Sequence, residues 1–148
     1  MIKNKKTIAL ASDHAGFELK TKLCDFLKSE SYEVLDLGTD SKKRVDYPDY
    51  GYLLADRVAE GDVDLGIGIC GSGIGISIAL NRNPLVRAAL CTSVEMAKLS
   101  REHNDANVLV LGSRIVSEET AIECLKTFLN TNFEGGRHAE RVEKLGEH

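Results

Sequence analysis

Leu65-Gly66-Ile67-Gly68-Ile69-Cys70-Gly71-Ser72-Gly73-Ile74-Gly75 is an apolar run of strand length that opens into a glycine-rich turn. A nearly continuous apolar run suits a strand covered on both faces, as strands of a parallel sheet are. The glycines at 71, 73 and 75 let the backbone turn tightly into a helix, and unpaired N–H groups at a helix start form a pocket for negative charge. The stretch reads as strand, turn and helix, the unit from which parallel α/β folds are built.

Working outward, four further runs have strand character: Thr7-Ile8-Ala9-Leu10-Ala11, Tyr32-Glu33-Val34-Leu35-Asp36, Val86-Arg87-Ala88-Ala89-Leu90 and Val108-Leu109-Val110-Leu111. Between them lie helical periodicities. Leu19, Leu23, Phe26 and Leu27 fall at i, i+4, i+7 and i+8, and Ala121, Leu125, Phe128 and Leu129 repeat that spacing. Tyr50, Leu53, Leu54 and Val58 mark another helix, opened by Asp46-Tyr47-Pro48, and shorter helices are expected after Gly73 and Val94. Strands alternating with helices predict an αβα three-layer sandwich around a five-stranded parallel, Rossmann-like sheet. The order should begin 2-1-3, since adjacency of strands 1 and 3 brings Asp13 beside Cys70. The Gly135-Gly136 break separates a short polar helical tail, residues 137–148, expected to reach the partner in a dimer and to be detachable from the core.

The chain has 148 residues, a length expected to form one domain over 1–148, with 43% hydrophobic and 28% charged residues, which places it among ordinary globular proteins. Its formal net charge of -4 supplies no positive field for nucleic acid or an anionic membrane, so an anionic ligand must be held by a local basic cluster. No stretch approaches a membrane span, and the opening Met1-Ile2-Lys3-Asn4-Lys5-Lys6 does not lead into a signal-peptide core, so the reading is cytoplasmic. Cys24, Cys70, Cys91 and Cys124 form no C-x-x-C pair and are expected to be reduced thiols.

In open parallel sheets ligands bind at the carboxyl ends of the strands. Here those tips carry Ser12-Asp13-His14-Ala15-Gly16, Cys70-Gly71-Ser72-Gly73 and Gly112-Ser113-Arg114, while His103-Asn104-Asp105 precedes strand 5. Gly66-Ile67-Gly68-Ile69-Cys70-Gly71 satisfies G-x-G-x-x-G, but its first two glycines lie inside the strand and the next strand ends in Leu90-Cys91-Thr92 without a carboxylate, so dinucleotide binding is set aside. No Gly-Lys-Ser or Gly-Lys-Thr occurs, which excludes a P-loop, and a receiver-type domain would need an aspartate where Cys70 stands. A buried cysteine is usually packing, a reading that suffices for Cys24, Cys91 and Cys124. Cys70 differs because the positive end of a helix dipole favours a thiolate, which can serve as a base. Taken alone, Asp13 is a helix cap. The four histidines, His14, His103, His138 and His148, show no close ligand spacing, so neither metal nor cofactor is expected. Arg137 and Arg141, four residues apart, suit a phosphate clamp, although a solvated basic face is the commoner use of such a pair.

Ser12-Asp13-His14-Ala15-Gly16-Phe17, Asp46-Tyr47-Pro48, Cys70-Gly71-Ser72-Gly73-Ile74-Gly75-Ile76-Ser77, Arg101-Glu102-His103-Asn104-Asp105-Ala106-Asn107 and Glu134-Gly135-Gly136-Arg137-His138 occur in order over nearly the whole chain. Together they resemble the ribose-5-phosphate isomerase B family, in the group that includes galactose-6-phosphate isomerase subunits. The resemblance implies a metal-free aldose-ketose isomerase of the pentose phosphate pathway, interconverting ribose 5-phosphate and ribulose 5-phosphate. It also implies a homodimer whose active sites draw on both subunits, with pairing into tetramers left open. By the same resemblance Cys70 is the base, in a family whose other branch places a glutamate where Ile76 stands. Ser72 and the amides of Gly71, Gly73 and Gly75 match the anion hole. His103, with Asp13 nearby, matches the ring-opening group; Tyr47 and Asn104 match sugar contacts; His14, Arg137 and Arg141 match phosphate ligands, with Arg114 and His138 as further candidates. Galactose-6-phosphate isomerase subunits are the alternative within the family. A non-catalytic sugar-phosphate-binding module is the alternative from another class, and it would not need Cys70 and His103 together.

Overall fold

The structure, a computed structural model, describes residues 6–148. The opening Met1–Lys5 segment read above for a signal peptide lies outside them. Five parallel strands, β1 (Thr7–Ser12), β2 (Glu33–Asp36), β3 (Leu65–Cys70), β4 (Ala88–Leu90) and β5 (Val108–Gly112), form one sheet in the order β2-β1-β3-β5-β4. Six helices accompany them: α1 (Phe17–Ser29), α2 (Tyr47–Glu60), α3 (Ile74–Leu80), α4 (Val94–Glu102), α5 (Glu118–Asn130) and α6 (Arg137–Leu145).

Alternation along the strands creates two cores. Ile8 and Leu10, Ile67 and Ile69, and Leu109 and Leu111 point to one face, where Leu19, Leu23, Leu27, Ala97, Ala121, Leu125 and Phe128 from α1, α4 and α5 cover them. Ala9, Ala11, Val108 and Val110 point to the other, under Leu54, Val58, Ile76 and Leu80 from α2 and α3. On this second face β3 contributes Gly66, Gly68 and, at its end, Cys70. A Cβ on Gly66 would lie 2.9 Å from Leu54 Cδ1, and one on Gly68 2.9 Å from Leu80 Cδ1. The G-x-G-x-x-G pattern is therefore a packing device: glycines let α2 and α3 lie close on the sheet.

Two strands are shorter than their apolar runs. Tyr32 N–H donates to Leu27 C=O at 3.0 Å and so closes the end of α1 instead of starting β2. Val86 N–H bonds Asn83 C=O, and Arg87 N–H goes to Asn107 Oδ1 at 2.7 Å, so β4 begins only at Ala88. The terminal helix is mostly exposed but is not simply detachable, because its second residue, His138, is 7% exposed and anchors it. Among the described residues no helix is long and apolar enough to cross a membrane.

Candidate active site

The carboxyl ends of β1, β3 and β5 are tied together by their own backbones. Asp13 N–H donates to Ile69 C=O at 3.2 Å, Ser113 N–H to Cys70 C=O at 2.9 Å, and Arg114 N–H to Gly71 C=O at 2.9 Å. The Ser113 hydroxyl donates to Ala15 C=O at 2.8 Å, joining the β5 tip to the 3₁₀ turn His14–Gly16. Asp13 caps that turn, its carboxylate accepting the Gly16 N–H at 3.1 Å.

Cys70 ends β3, and its Sγ accepts the Gly73 N–H at 3.2 Å. An N–H aimed at sulfur stabilises negative charge there. The contact requires glycine at 73: φ is +81°, and a Cβ would stand 2.5 Å from Leu90 Cδ1 and 3.1 Å from Gly112 N. Ser72 is exposed, and its hydroxyl accepts the Ile74 N–H at 3.1 Å. Of the amides expected to form an anion hole, that of Gly73 serves the thiol in this structure. The Tyr47 ring lies on Gly75, where a Cβ would meet it at 2.5 Å, and the Arg114 guanidinium lies across Gly71. Asp13, Tyr47, Cys70, Gly71, Ser72, Gly75 and Arg114 together line a cleft of about 470 Å³. Ile76 is fully buried in the core with Leu54 and Leu80, and its side chain does not line the cleft.

Arg114 also borders a neighbouring hollow of about 410 Å³ that holds His14, Lys22 and Lys42. His14 Nδ1 accepts the Val45 N–H at 3.2 Å, so in the neutral ring the proton resides on Nε2. Lys22 pairs with Glu118 and Lys42 with Glu18. The Lys42 ammonium accordingly holds the Glu18 carboxyl below its ordinary range, and Glu118 raises Lys22. Arg114, Arg137 and Arg141 have no ion pair among the described residues, so these guanidinium charges are available to a dianion.

The remaining candidates lie elsewhere. The helix α4 runs from the carboxyl end of β4 back to the amino edge of the sheet, where His103 caps it. Asn107, which follows His103-Asn104-Asp105, accepts the N–H of Gly66 at the start of β3. From the Gly66–Val108 pairing to the Cys70–Gly112 pairing is four residues, about 13 Å of strand. Asp13 is therefore not near His103 within one chain, contrary to expectation. Asn104 lines a cavity of about 530 Å³ with Asn81, Arg87 and Leu145, remote from the thiol. Arg137 and Arg141 are exposed on α6.

At this edge the His103 and His138 rings stack, with centroids 4.2 Å apart and planes at 16°. Burial, then the nearby His103 and Arg137, lower the His138 pKa and favour its neutral form. Glu134 Oε1 lies 3.6 Å from His138 Nε2 and 4.0 Å from His103 Nε2. Spacing along the chain argued against any metal-binding group, yet the fold gathers these three ligand atoms within 4.8 Å of one another. Arg101 pins the turn: Nη1 donates to Ala106 C=O at 2.6 Å and to Asp105 at 3.2 Å, while Nε donates to Thr131 C=O at 3.2 Å. Asp105, at φ +47°, also receives Arg87. Arg101 and Asp105 stood inside a recognised motif, but only contacts distant in sequence show that they position His103; Glu134 carried no separate signal.

Cys24 and Cys91 are pushed up by burial to about 11 and about 12, and burial raises Cys124 as well, so these three remain thiols. The cleft thus presents one thiol opposite a carboxylate, a phenol and a guanidinium at the strand tips of a three-layer parallel α/β protein, the arrangement of a sugar-phosphate isomerase. Residues 8–145 match the Ribose/Galactose Isomerase family, and the chain belongs to it. It is 48% identical over 140 residues to ribose-5-phosphate isomerase B of Escherichia coli, covering 95% of this chain and 94% of that protein. It resembles the crystal structure of a ribose 5-phosphate isomerase from Thermotoga maritima with a TM-score of 0.96 and 47% identity, covering 98% of this chain and 100% of that one. The structure of ribose-5-phosphate isomerase B from Mycoplasma genitalium with bound ribulose-5-phosphate matches with a TM-score of 0.90 and 45% identity, over 94% of this chain and 93% of that one.

Proposed function

We propose that the protein is an aldose-ketose isomerase interconverting D-ribose 5-phosphate and D-ribulose 5-phosphate, with Cys70 as the proton-transfer base. The observation that carries this reading is the Cys70 sulfur, held by the Gly73 N–H in the cleft that Asp13, Tyr47, Ser72 and Arg114 also line. A proton on carbon next to a carbonyl is removable only if the developing oxyanion is stabilised, so the base must face fixed donors. Once the ring is open, the Cys70 thiolate takes the C2 proton and returns it to C1. Ser72 and the backbone around Gly71 and Gly75 face the enediolate oxygens, and Tyr47 and Asn104 bind sugar hydroxyls. His14, Arg114, Arg137, His138 and Arg141 hold the phosphate, orienting the reacting carbons from a distance.

His103 serves as the ring-opening acid-base, and this requires a second copy of the chain. Cys70 and His103 stand at opposite edges of the sheet, and an isologous dimer can set the amino edge of one copy against the carboxyl edge of the other. Exposed Ile74 and Ile78 on α3, with Tyr52 and Leu53 on α2, support such an interface beside the cleft. The same reading places the enzyme in the cytoplasm and in the pentose phosphate pathway.

The test is a coupled assay of the purified protein with ribose 5-phosphate, allose 6-phosphate and galactose 6-phosphate, with and without chelator. Turnover of ribose 5-phosphate that survives EDTA is expected. Preference for galactose 6-phosphate would move the chain to the other branch of the family, and loss of turnover with EDTA, restored by a divalent ion, would overturn the thiol mechanism.

A further inference from the structure

We infer that His103, Glu134 and His138 form a binding site for Zn²⁺ or a similar borderline ion, and that metal bound there inhibits the enzyme. The Glu134 Oε1 separations of 3.6 Å from His138 Nε2 and 4.0 Å from His103 Nε2 are both longer than hydrogen bonds. Ligands at ~2.0–2.2 Å around a tetrahedral zinc stand roughly 3.3–3.5 Å from each other, so closing this set onto one ion takes shifts of a few tenths of an ångström at Glu134 and a turn of the imidazole rings. Two imidazoles and one carboxylate are also the ligand set of open zinc sites, in which a fourth position is left for water or another oxygen.

The frame for this set is already in place. Glu134 N–H donates to Glu102 C=O at 3.0 Å, and His138 N–H to Gly135 C=O at 3.0 Å. Arg101 joins the turn before β5 to Thr131 at the end of α5. Both segments are thereby fixed relative to each other, while His103 and Glu134 retain enough exposure to adjust. The inhibitory half rests on the role proposed for His103: an imidazole whose lone pair is on a metal cannot shuttle the proton that opens the sugar ring.

The experiment is equilibrium dialysis of full-length Cys70→Ala protein against ZnCl₂, which removes the competing thiol of the cleft, alongside the same protein carrying Glu134→Gln. One zinc per chain is expected, bound at least ~10-fold more weakly after Glu134→Gln, since loss of a ligand should cost no less than loss of its supporting contacts. In the otherwise native enzyme, zinc should inhibit ribose 5-phosphate turnover reversibly with EDTA, and Glu134→Gln should require at least ~10-fold more metal. Equal affinity with and without Glu134, or no binding once Cys70 is removed, would overturn the site. Zinc that binds as expected but leaves turnover intact would leave the site standing and overturn the inhibition, together with the role of His103. A protein inactive on every sugar phosphate would refute the isomerase reading, while dialysis would still decide the site.

Discussion

Cys70 is one of four buried cysteines, and the structure separates it from the others by what its sulfur meets. Cys24 and Cys91, at about 11 and about 12, lie in apolar surroundings, whereas Cys70 receives an N–H and opens on the cleft. Cys70→Ala should lower turnover by ~10²–10⁴-fold with little change in KM, because general-base catalysis is worth about that much and the phosphate contacts are untouched. Steady-state kinetics decides this, and a variant keeping most of its turnover would move the base elsewhere. Alkylation followed by mass spectrometry at neutral pH should mark Cys70 first, with substrate protecting; early labelling of Cys24 or Cys91 would contradict the assignment. Glycine at 73 is equally specific. Gly73→Ala meets both a left-handed backbone and backbone atoms of Gly112, so it should lose ~1–3 kcal/mol of stability as well as the sulfur contact. Denaturant melts and turnover should fall together, and a stable, active Gly73→Ala would sink this reading. The place of Cys70 at the tip of β3 was legible from sequence because strand, glycine turn and helix are contiguous. Glu134 was not, since its partners, His103 above all, are distant in the chain.

Among the elements, β3 is readable to the residue because its apolar run is bounded by a charged residue and a glycine turn. The limits of β2 and β4 escaped notice because they are set by capping bonds, Tyr32 N–H to Leu27 and Arg87 N–H to the Asn107 side chain, that periodicity does not register. Similarly, the Gly135-Gly136 break located α6 correctly but suggested a loose tail, whereas His138 docks it on His103. The docking should depend on pH. Burial and neighbouring His103 and Arg137 lower the folded pKa of His138, so the folded state takes up this proton less readily than the unfolded chain does. Its stabilisation is therefore complete above the unfolded imidazole value of ~6.5 and is lost as pH falls from there through the lowered value. Protection factors of the α6 amides, corrected for the intrinsic exchange rate at each pH, should fall on acidification before those of β3, and His138→Gln should remove this pH dependence. Protection factors in α6 that stay constant between pH 7 and 5 would refute the account.

For the whole molecule, the αβα sandwich and the placement of strand 1 beside strand 3 follow from sequence, because buried strands and amphipathic helices are local patterns. How the site residues divide between the two edges of the sheet does not, because motifs give order along the chain and not the direction of α4. His103 looked like a neighbour of Asp13 until the strand register put about 13 Å of sheet between them. The central claim, one site built from the Cys70 cleft of one copy and the His103 edge of another, predicts complementation. Cys70→Ala and His103→Ala chains, carrying different tags and co-expressed, can be purified through both tags as mixed dimers. Each variant alone should be nearly inactive. A mixed dimer contains one doubly damaged site and one intact site, so it should recover about half the wild-type turnover per dimer. Mixed dimers as inactive as their parents would contradict the shared site and require Cys70 and His103 to act within one chain.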